Sequence, residues 1–157
     1  SGSALAGNLG SEQRFDYSIL GDSVNLASRL EGQSKTYGVE VLISEDTFAK
    51  ASGLAFLELD LLQVVGKTEP VRIFTLVGDE SVARTASFKK AQALQLAMLD
   101  AYRARNWDQA LELIDQLRES GPESAQGYFS IFGKRIRGFQ ANSPGRDWDG
   151  VERRLTK

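Results

Sequence analysis

The stretch "YSILGDSVNLASRLEG" (17–32) decides how the first half of the chain is interpreted. Apolar and polar residues alternate over "QRFDYSIL" (13–20), which predicts a β-strand with successive side chains on opposite faces. A glycine follows, and Asp22 or Ser23 can then cap a helix over about 23–34. The stretch therefore predicts a strand, a tight turn and a helix in direct succession.

The predicted helix carries an amide and a cation on one face. Asn25 and Arg29 are neighbours there because residues four positions apart lie one turn above each other. Val24, Ala27 and Leu30 form the predicted buried stripe instead. A planar guanidinium beside an amide suits a phosphate or a ribose oxygen. From the spacing alone, the simpler interpretation is two solvated polar residues on a surface helix.

The following residues predict a mixture of strands and short helices. "VEVLI" (39–43) is a β-branched strand pattern, and Ser44 can cap a short helix after it. Two longer apolar runs, "LAFLELDLLQV" (54–64) and "VRIFTLV" (71–77), predict two strands. They flank "GKTEP" (66–70), which has the composition of a turn.

The second half of the chain predicts helices only. Apolar residues at helical spacing indicate three amphipathic helices, of which the first two meet at a tight turn near Asn106. "SGP" (120–122) separates the second helix from the third. "GDESVART" (78–85) is the predicted boundary between a first domain, 1–80, and a helical region, 81–157.

Composition excludes several classes of protein. The 157 residues carry a net charge of −2, with 41% hydrophobic and 25% charged residues, which is typical of a globular domain rather than a general nucleic-acid binder. The absence of cysteine and histidine excludes disulfides, thiol nucleophiles, zinc fingers and the imidazole base of serine hydrolases. No apolar run reaches the roughly 20 residues of a membrane helix, and we expect a cytoplasmic location.

Three blocks of sequence resemble one family in the same order and spacing. They are "GNLGSEQRFDYSILGDSVNLASRLEGQSKTYG" (7–38), "VLIS" (41–44) and "VVGKTEPVRIFTLVG" (64–78). Together they resemble the C-terminal half of the class III adenylate/guanylate cyclase catalytic domain. The resemblance covers half of the chain. It implies an α+β fold, the C-terminal part of the ferredoxin-like cyclase fold, followed by a small all-α helical region.

The resemblance assigns roles to four residues. Asn25 matches the asparagine that orients the ribose of the nucleotide, and Arg29 matches the arginine that stabilises phosphate charge in the transition state. Ser18 stands where the family reads the purine, and a hydroxyl there favours ATP. Lys67 is similar to the lysine that contacts the triphosphate. The plainer interpretations are a solvent-facing strand serine and an exposed turn lysine.

The resemblance also implies a dimer. Family members work as head-to-tail homodimers, in which one subunit supplies metal-binding aspartates and the other supplies the asparagine and arginine. Arg14 and Asp16 are similar to hairpin positions at that interface. Asp22 is expected to shape the turn and the interface rather than to take part in chemistry.

The metal ligands of the family are not among these residues. The resemblance implies Mg²⁺ or Mn²⁺ held by two aspartates in the N-terminal half of the catalytic domain, which this sequence lacks. Asp16, Asp22, Glu58 and Asp60 match no ligand motif, so we assign no metal residue. We therefore expect the chain alone to be inactive, with an unpaired sheet edge and exposed apolar surface.

The helical half resembles a single tetratricopeptide-type helix pair. "AMLDAYRARNWDQALELIDQLRES" (97–120) carries the pattern, as in the extensions of some bacterial adenylate cyclases. It is either a docking or dimer-stabilising appendage for a protein partner, or a structural cap on the cyclase half. Trp107 and Trp148 are predicted to be packing residues.

The predicted function is therefore part of a bacterial-type adenylate cyclase, which converts ATP to 3′,5′-cyclic AMP and pyrophosphate. The resemblance allows an upstream sensor or membrane anchor in a parent protein. The first alternative is a catalytically dead regulatory or protein-interaction module of the same fold. The second is a helical scaffold for protein partners that carries the cyclase segment as a passenger.

Overall fold

The computed structural model describes residues 1–11, 14–64 and 68–153, with side chains described for 1–8, 17–64 and 68–153. Strands dominate before Gly78 and helices after it, so the predicted α+β fold is confirmed.

The chain begins with a hairpin followed by a helix. Strand β1 (Leu5–Ser11) pairs antiparallel with β2 (Arg14–Leu20) in a two-stranded sheet of its own. Helix α1 (Asp22–Tyr37) follows after one residue. The predicted succession of strand, turn and helix is confirmed, although the helix extends three residues beyond the predicted end.

The start of α1 differs from the prediction. Its N-cap residue is Gly21, and no side chain caps the helix, so the predicted cap by Asp22 or Ser23 is wrong. The Ser23 hydroxyl instead donates to the carbonyl oxygen of Ser3 at 2.9 Å. Gly21 has φ +155°, and a Cβ there would lie 2.9 Å from the same carbonyl oxygen. Both its conformation and its surroundings therefore require glycine at this turn.

The buried stripe of α1 also differs. Leu30 is buried as predicted, but Val24 is only half-buried and Ala27 is exposed. The face that meets the core instead runs through Leu26, Leu30 and the fully buried Tyr37. The C-terminal end of α1 is thus the end that packs most deeply.

A four-stranded sheet in the order β3-β5-β4-β6 forms the centre of the fold. Strands β4 (Ala55–Gln63) and β5 (Val71–Gly78) pair antiparallel, as the sequence predicts. Strand β3 is only Ile43–Ser44, so the predicted strand over 39–43 is wrong for all but its last residue. The short helix α2 (Glu45–Phe48) follows it. Its N-cap is Ser44, but that side chain makes no capping hydrogen bond.

The second half supplies helices that cover the sheet. After the short α3 (Glu80–Arg84) come α4 (Ala86–Arg103), α5 (Trp107–Ser120) and α6 (Gln126–Ala141), which are the three predicted helices. The Asn106 side chain caps α5 by accepting from the Gln109 amide. A 3₁₀ turn, Glu123–Ala125, precedes α6. Strand β6 (Glu152–Arg153), which the sequence does not predict, pairs parallel with the end of β4.

One continuous core joins the sheet and the helices. Tyr102 on α4 lies at its centre among aromatic rings. Its ring centroid is 5.8 Å from that of Trp107 and 5.2 Å from that of Trp148, so both tryptophans are packing residues as predicted. Residues 78–85 thus connect two parts that share their buried side chains, and the domain boundary at 80 stays a prediction. The largest fully buried side chains come from both parts: Tyr37, Tyr102, Tyr128, Phe129, Phe132, Leu57, Leu59, Leu62, Ile73, Met98, Leu99 and Ile114.

The β1–β2 hairpin carries the expected exposed apolar surface. The exposed fraction is 76% for Tyr17, 53% for Ile19 and 51% for Leu20, and Leu5 is 67% exposed on the other strand. Tyr17 and Ile19 lie on one face of the hairpin, and Leu20 with its cross-strand partner Leu5 on the other, so both faces carry exposed apolar side chains.

The backbone at the C-terminal end of α1 touches that of α6 at two glycines, Gly38 and Gly127, which gives a first testable prediction. A Cβ on Gly127 would lie 2.5 Å from the carbonyl oxygen of Gly38. Gly127→Ala must therefore push the two helices apart, and we expect a loss of about 1–3 kcal/mol in the free energy of unfolding. Urea denaturation measures it.

Gly138→Ala is the matched control because it lies on the same helix, and nothing beyond the neighbouring helix backbone comes within 4 Å of its Cβ position. We expect that change to stabilise the protein by up to about 1 kcal/mol through helix propensity. Equal effects of the two substitutions would contradict the close approach.

Candidate functional site

Helix α1 presents the amide and the guanidinium of the predicted site. Asn25 is exposed and Arg29 is half-buried, one helical turn apart. Within the described part of the chain, neither side chain has a hydrogen-bond or ion-pair partner. Both groups are therefore accessible to a ligand on the same side of α1, and their catalytic roles stay a prediction.

The structure describes some of the other predicted site residues with their side chains, some only as backbone, and one not at all. Ser18 is half-buried on β2, opposite Gly7 of β1. The side chains of Arg14 and Asp16 lie outside the described residues, although their backbones belong to β2. Lys67 lies outside the described residues altogether.

Asp22 is the first residue of α1 and is exposed. It directly follows the Gly21 turn, and its role in shaping the turn and the dimer interface stays a prediction.

An open groove lies against another face of α1. It has a volume of about 580 Å³ and runs between the N-terminal residues, α1 and 40–47. Neither Asn25 nor Arg29 lines it. Four carboxylates do, from Asp22, Glu31, Glu40 and Asp46. These carboxylates make the groove acidic, unlike the face that carries Asn25 and Arg29.

Two carboxylates of β4 are buried and paired with arginines from the helical half. An oxygen of Asp60 accepts from Arg135 Nη1 at 2.6 Å and from the Tyr37 hydroxyl at 2.8 Å. Glu58 accepts from Arg103 Nη2 at 2.7 Å. These pairs tie α4 and α6 to the sheet.

The buried carboxylates do not fit a divalent cation. A metal ligand needs a free carboxylate oxygen near other oxygens, whereas Glu58 and Asp60 are each bound to a guanidinium. In the parts of the chain that the structure describes, no group of three acidic residues is arranged to hold a metal ion. The expected Mg²⁺ or Mn²⁺ stays a prediction that concerns other residues.

Burial sets the ionisation of this network. Burial raises the pKa of Asp60, while the charge of Arg135 and the hydrogen bonds to the carboxylate oppose the rise. Burial, followed by the charge of Asp60, raises the pKa of Tyr37, which keeps its hydroxyl protonated. Tyr37 therefore remains a hydrogen-bond donor to Asp60 across the usual pH range.

Sequence reasoning did not find the network of Tyr37, Asp60 and Arg135. A signal was present, because two acidic residues interrupt the apolar run of β4 at alternate positions. Buried carboxylates need a cation or hydrogen-bond donors. The sequence does not show which arginine pairs with each of these carboxylates.

Comparisons with known proteins point to the cyclases. Adenylate cyclase 1 of Rhizobium meliloti is 37% identical over 78 residues, which cover 49% of this chain and 12% of that protein. An adenylate cyclase of Anabaena cylindrica is 36% identical over 77 residues, covering 46% of this chain and 15% of that protein. The terminal-differentiation specific adenylate cyclase of Dictyostelium discoideum is 32% identical over 127 residues, covering 77% of this chain and 6% of that protein. No family model matches the chain.

These similarities confirm the resemblance: the chain carries a class III cyclase-like domain related to adenylate cyclases. It spans less than a sixth of the length of each of these relatives. The Dictyostelium match covers more residues than 1–80 contains, so it includes part of the helical half. The tetratricopeptide-like character of that half stays a prediction. Among the described helices, none has the length and apolar character needed to cross a membrane.

Proposed function

We propose that this chain supplies the ribose- and phosphate-contacting half of an adenylate cyclase site. The observation that carries the proposal is the pair on α1. Asn25 and Arg29 lie one turn apart, accessible, and without a partner among the described residues, in a chain related to adenylate cyclases. An unpaired guanidinium and a neighbouring amide suit a nucleotide ribose and its phosphates.

The proposed reaction is an intramolecular phosphoryl transfer. The 3′-hydroxyl oxygen of ATP attacks the α-phosphorus, the bond from that phosphorus to the bridging oxygen of the β-phosphate breaks, and the hydroxyl proton passes to solvent. The products are 3′,5′-cyclic AMP and pyrophosphate. Catalysis of such a transfer depends mainly on positioning and on neutralising negative charge.

Each residue of the site takes one task. Asn25 donates a hydrogen bond to the ribose and holds the sugar for attack. Arg29 donates to phosphate oxygens whose negative charge increases in the transition state. Ser18 contacts the adenine edge, and Lys67 contacts the triphosphate.

The proposal assigns the metal ligands to residues outside this sequence. Mg²⁺ or Mn²⁺ supplies charge neutralisation and hydroxyl activation in this chemistry. Glu58 and Asp60 are already bound to arginines. We therefore propose a head-to-tail homodimer in the complete enzyme, and we infer that these 157 residues alone form no cyclic AMP.

A complementation assay tests the proposal. The chain is mixed with a class III cyclase domain that keeps its metal-binding aspartates but has alanine in place of its own asparagine and arginine. With ATP and Mn²⁺, we expect cyclic AMP from the mixture and none from either protein alone. GTP in place of ATP should give less product, because Ser18 favours the adenine edge.

Two results would contradict the proposal. Activity of the chain alone would show that its own residues bind the metal. A silent mixture, with complex formation verified by size-exclusion chromatography, would reject the supplied half-site and favour a regulatory module of the same fold.

A further inference from the structure

We propose that helix α6 positions α1, and with it Asn25 and Arg29, through a buried network of Tyr37, Asp60 and Arg135. The catalytic meaning of this inference rests on the proposed function. Its structural content, that α6 fixes α1, does not.

The network converges on one oxygen atom. Tyr37 is the last residue of α1 and is fully buried. Its hydroxyl donates to Asp60 Oδ2 at 2.8 Å, and Arg135 Nη1 of α6 donates to the same oxygen at 2.6 Å. The Arg135 guanidinium also lies 5.5 Å from the centroid of the Tyr37 ring, a distance that allows a cation–π contact. Strand β4 thus holds the last residue of α1 and the middle of α6 through a single carboxylate.

A second contact restrains the same end of α1. Gly38 ends the helix in the left-handed conformation, with φ +66°. A Cβ on Gly38 would lie 2.8 Å from the carbonyl carbon of Gly127 and 2.8 Å from Ile131 Cδ1, both on α6. Backbone contact excludes a shift of α1 toward α6, and the hydrogen bonds oppose a shift away from it.

The restraint reaches the proposed site because a helix is stiff. Arg29 lies eight residues before Tyr37, or about 12 Å along the axis. Leu30, the residue after Arg29, is buried in the core, and Leu26, three residues before Arg29, is partly buried against it. At the other end, α1 begins after Gly21 without a side-chain cap. The end that meets α6 is the more deeply buried end of α1, and a displacement of about 1 Å at a catalytic group can cost about a hundredfold in rate.

Similar contacts that avoid α1 provide matched controls. The Tyr128 hydroxyl of α6 donates to the Leu59 carbonyl oxygen at 2.8 Å and accepts from Gln95. The Arg103 guanidinium of α4 binds Glu58 at 2.7 Å. Both join helices of the second half to β4, as the network does, but neither involves a residue of α1.

Hydrogen–deuterium exchange on the full chain tests the positioning directly. In Tyr37→Phe the ring stays and only the hydroxyl is lost, and we expect about tenfold faster exchange of the α1 amides over 29–37. Tyr128→Phe should change exchange in the same segment by less than about twofold, although it also removes a buried hydroxyl. Arg135→Lys, with Arg103→Lys as its control, repeats the comparison of α1 amide exchange while keeping the positive charge.

The complementation assay then measures the catalytic consequence. In Tyr37→Phe we expect kcat to fall about tenfold while KM for ATP changes less than twofold, because Arg29 acts in the transition state. Tyr128→Phe should keep the kcat of the unmodified chain. If Tyr37 had only a structural role, Tyr37→Phe would lower the amount of folded protein. The kcat of the folded fraction would then be the same in Tyr37→Phe as in Tyr128→Phe.

The outcomes separate the two proposals. Unchanged α1 exchange in both Tyr37→Phe and Arg135→Lys would overturn the positioning by α6. Faster α1 exchange in the two variants, together with no cyclic AMP from the complemented unmodified chain, would support the positioning by α6 and reject the cyclase half-site. An active chain whose kcat is the same in Tyr37→Phe as in Tyr128→Phe would overturn the link between the network and catalysis.

Discussion

Replacing Arg29 with alanine is expected to lower the kcat of the complemented cyclase by about 10²–10³-fold. Arg29 is half-buried on α1, and its guanidinium has no partner among the described residues, so we expect it to be available to the phosphates. Its hydrogen bonds strengthen as negative charge grows on the transferring phosphate. KM for ATP should change much less than kcat, because the lost interaction belongs mainly to the transition state. Steady-state cyclic AMP formation against ATP concentration measures both parameters.

Two further variants sharpen this prediction. Arg29→Lys keeps the charge but loses the planar pair of donors, so we expect it to recover only part of the rate. Arg84→Ala is the control, because Arg84 is exposed and pairs with Glu80 at 3.1 Å on the short helix α3. It should leave kcat unchanged. A full rate in Arg29→Ala would show that Arg29 is an ordinary solvated surface residue.

Arg135→Met is expected to destabilise the fold by about 3–5 kcal/mol, because it leaves the Asp60 carboxylate buried without its cation. The Asp60 side chain is 1% exposed and the Arg135 side chain is 14% exposed, so solvent cannot replace the lost partner. The remaining donors to Asp60 are the Tyr37 hydroxyl and the Leu61 amide. Urea denaturation followed by circular dichroism measures the free energy of unfolding.

An exposed ion pair on the same layer of helices is the control for Arg135. Arg118 lies 3.5 Å from Asp115, and both side chains are about half exposed. Arg118→Met should cost less than about 1 kcal/mol. If Arg135→Met cost no more than Arg118→Met, the buried pair would not be what joins α6 to the sheet.

Local patterns in the sequence predicted the elements well where one face is buried. The strands over 54–64 and 71–77 and the three long helices all form near their predicted positions, because apolar periodicity reports which side of an element meets a core. The prediction was wrong over most of 39–43, since β-branched residues there lack a ladder partner. It was also wrong at the start of α1, where Gly21 replaces a side-chain cap.

For the candidate site, too, some features followed from the sequence and others depended on tertiary packing. Sequence similarity to the cyclases points to Asn25 and Arg29, and their helical spacing places them on one face. The surroundings of α1 did not follow from spacing. The end of the helix depends on Tyr37, Asp60 and Arg135, which no periodic pattern relates to one another.

By itself, the sequence determined the α+β order of elements and the position of Asn25 and Arg29 on α1, because these depend on neighbours within a few residues. The relation to adenylate cyclases also followed from the sequence, through similarity over about half of the chain. Only the tertiary structure decided which charges are buried together. Glu58 and Arg103 are 45 positions apart, and Asp60 and Arg135 are 75 apart. Pairing at such separations depends on how the helices pack on the sheet. Low solvent exposure then makes each pairing obligatory, since a buried charge needs its partner.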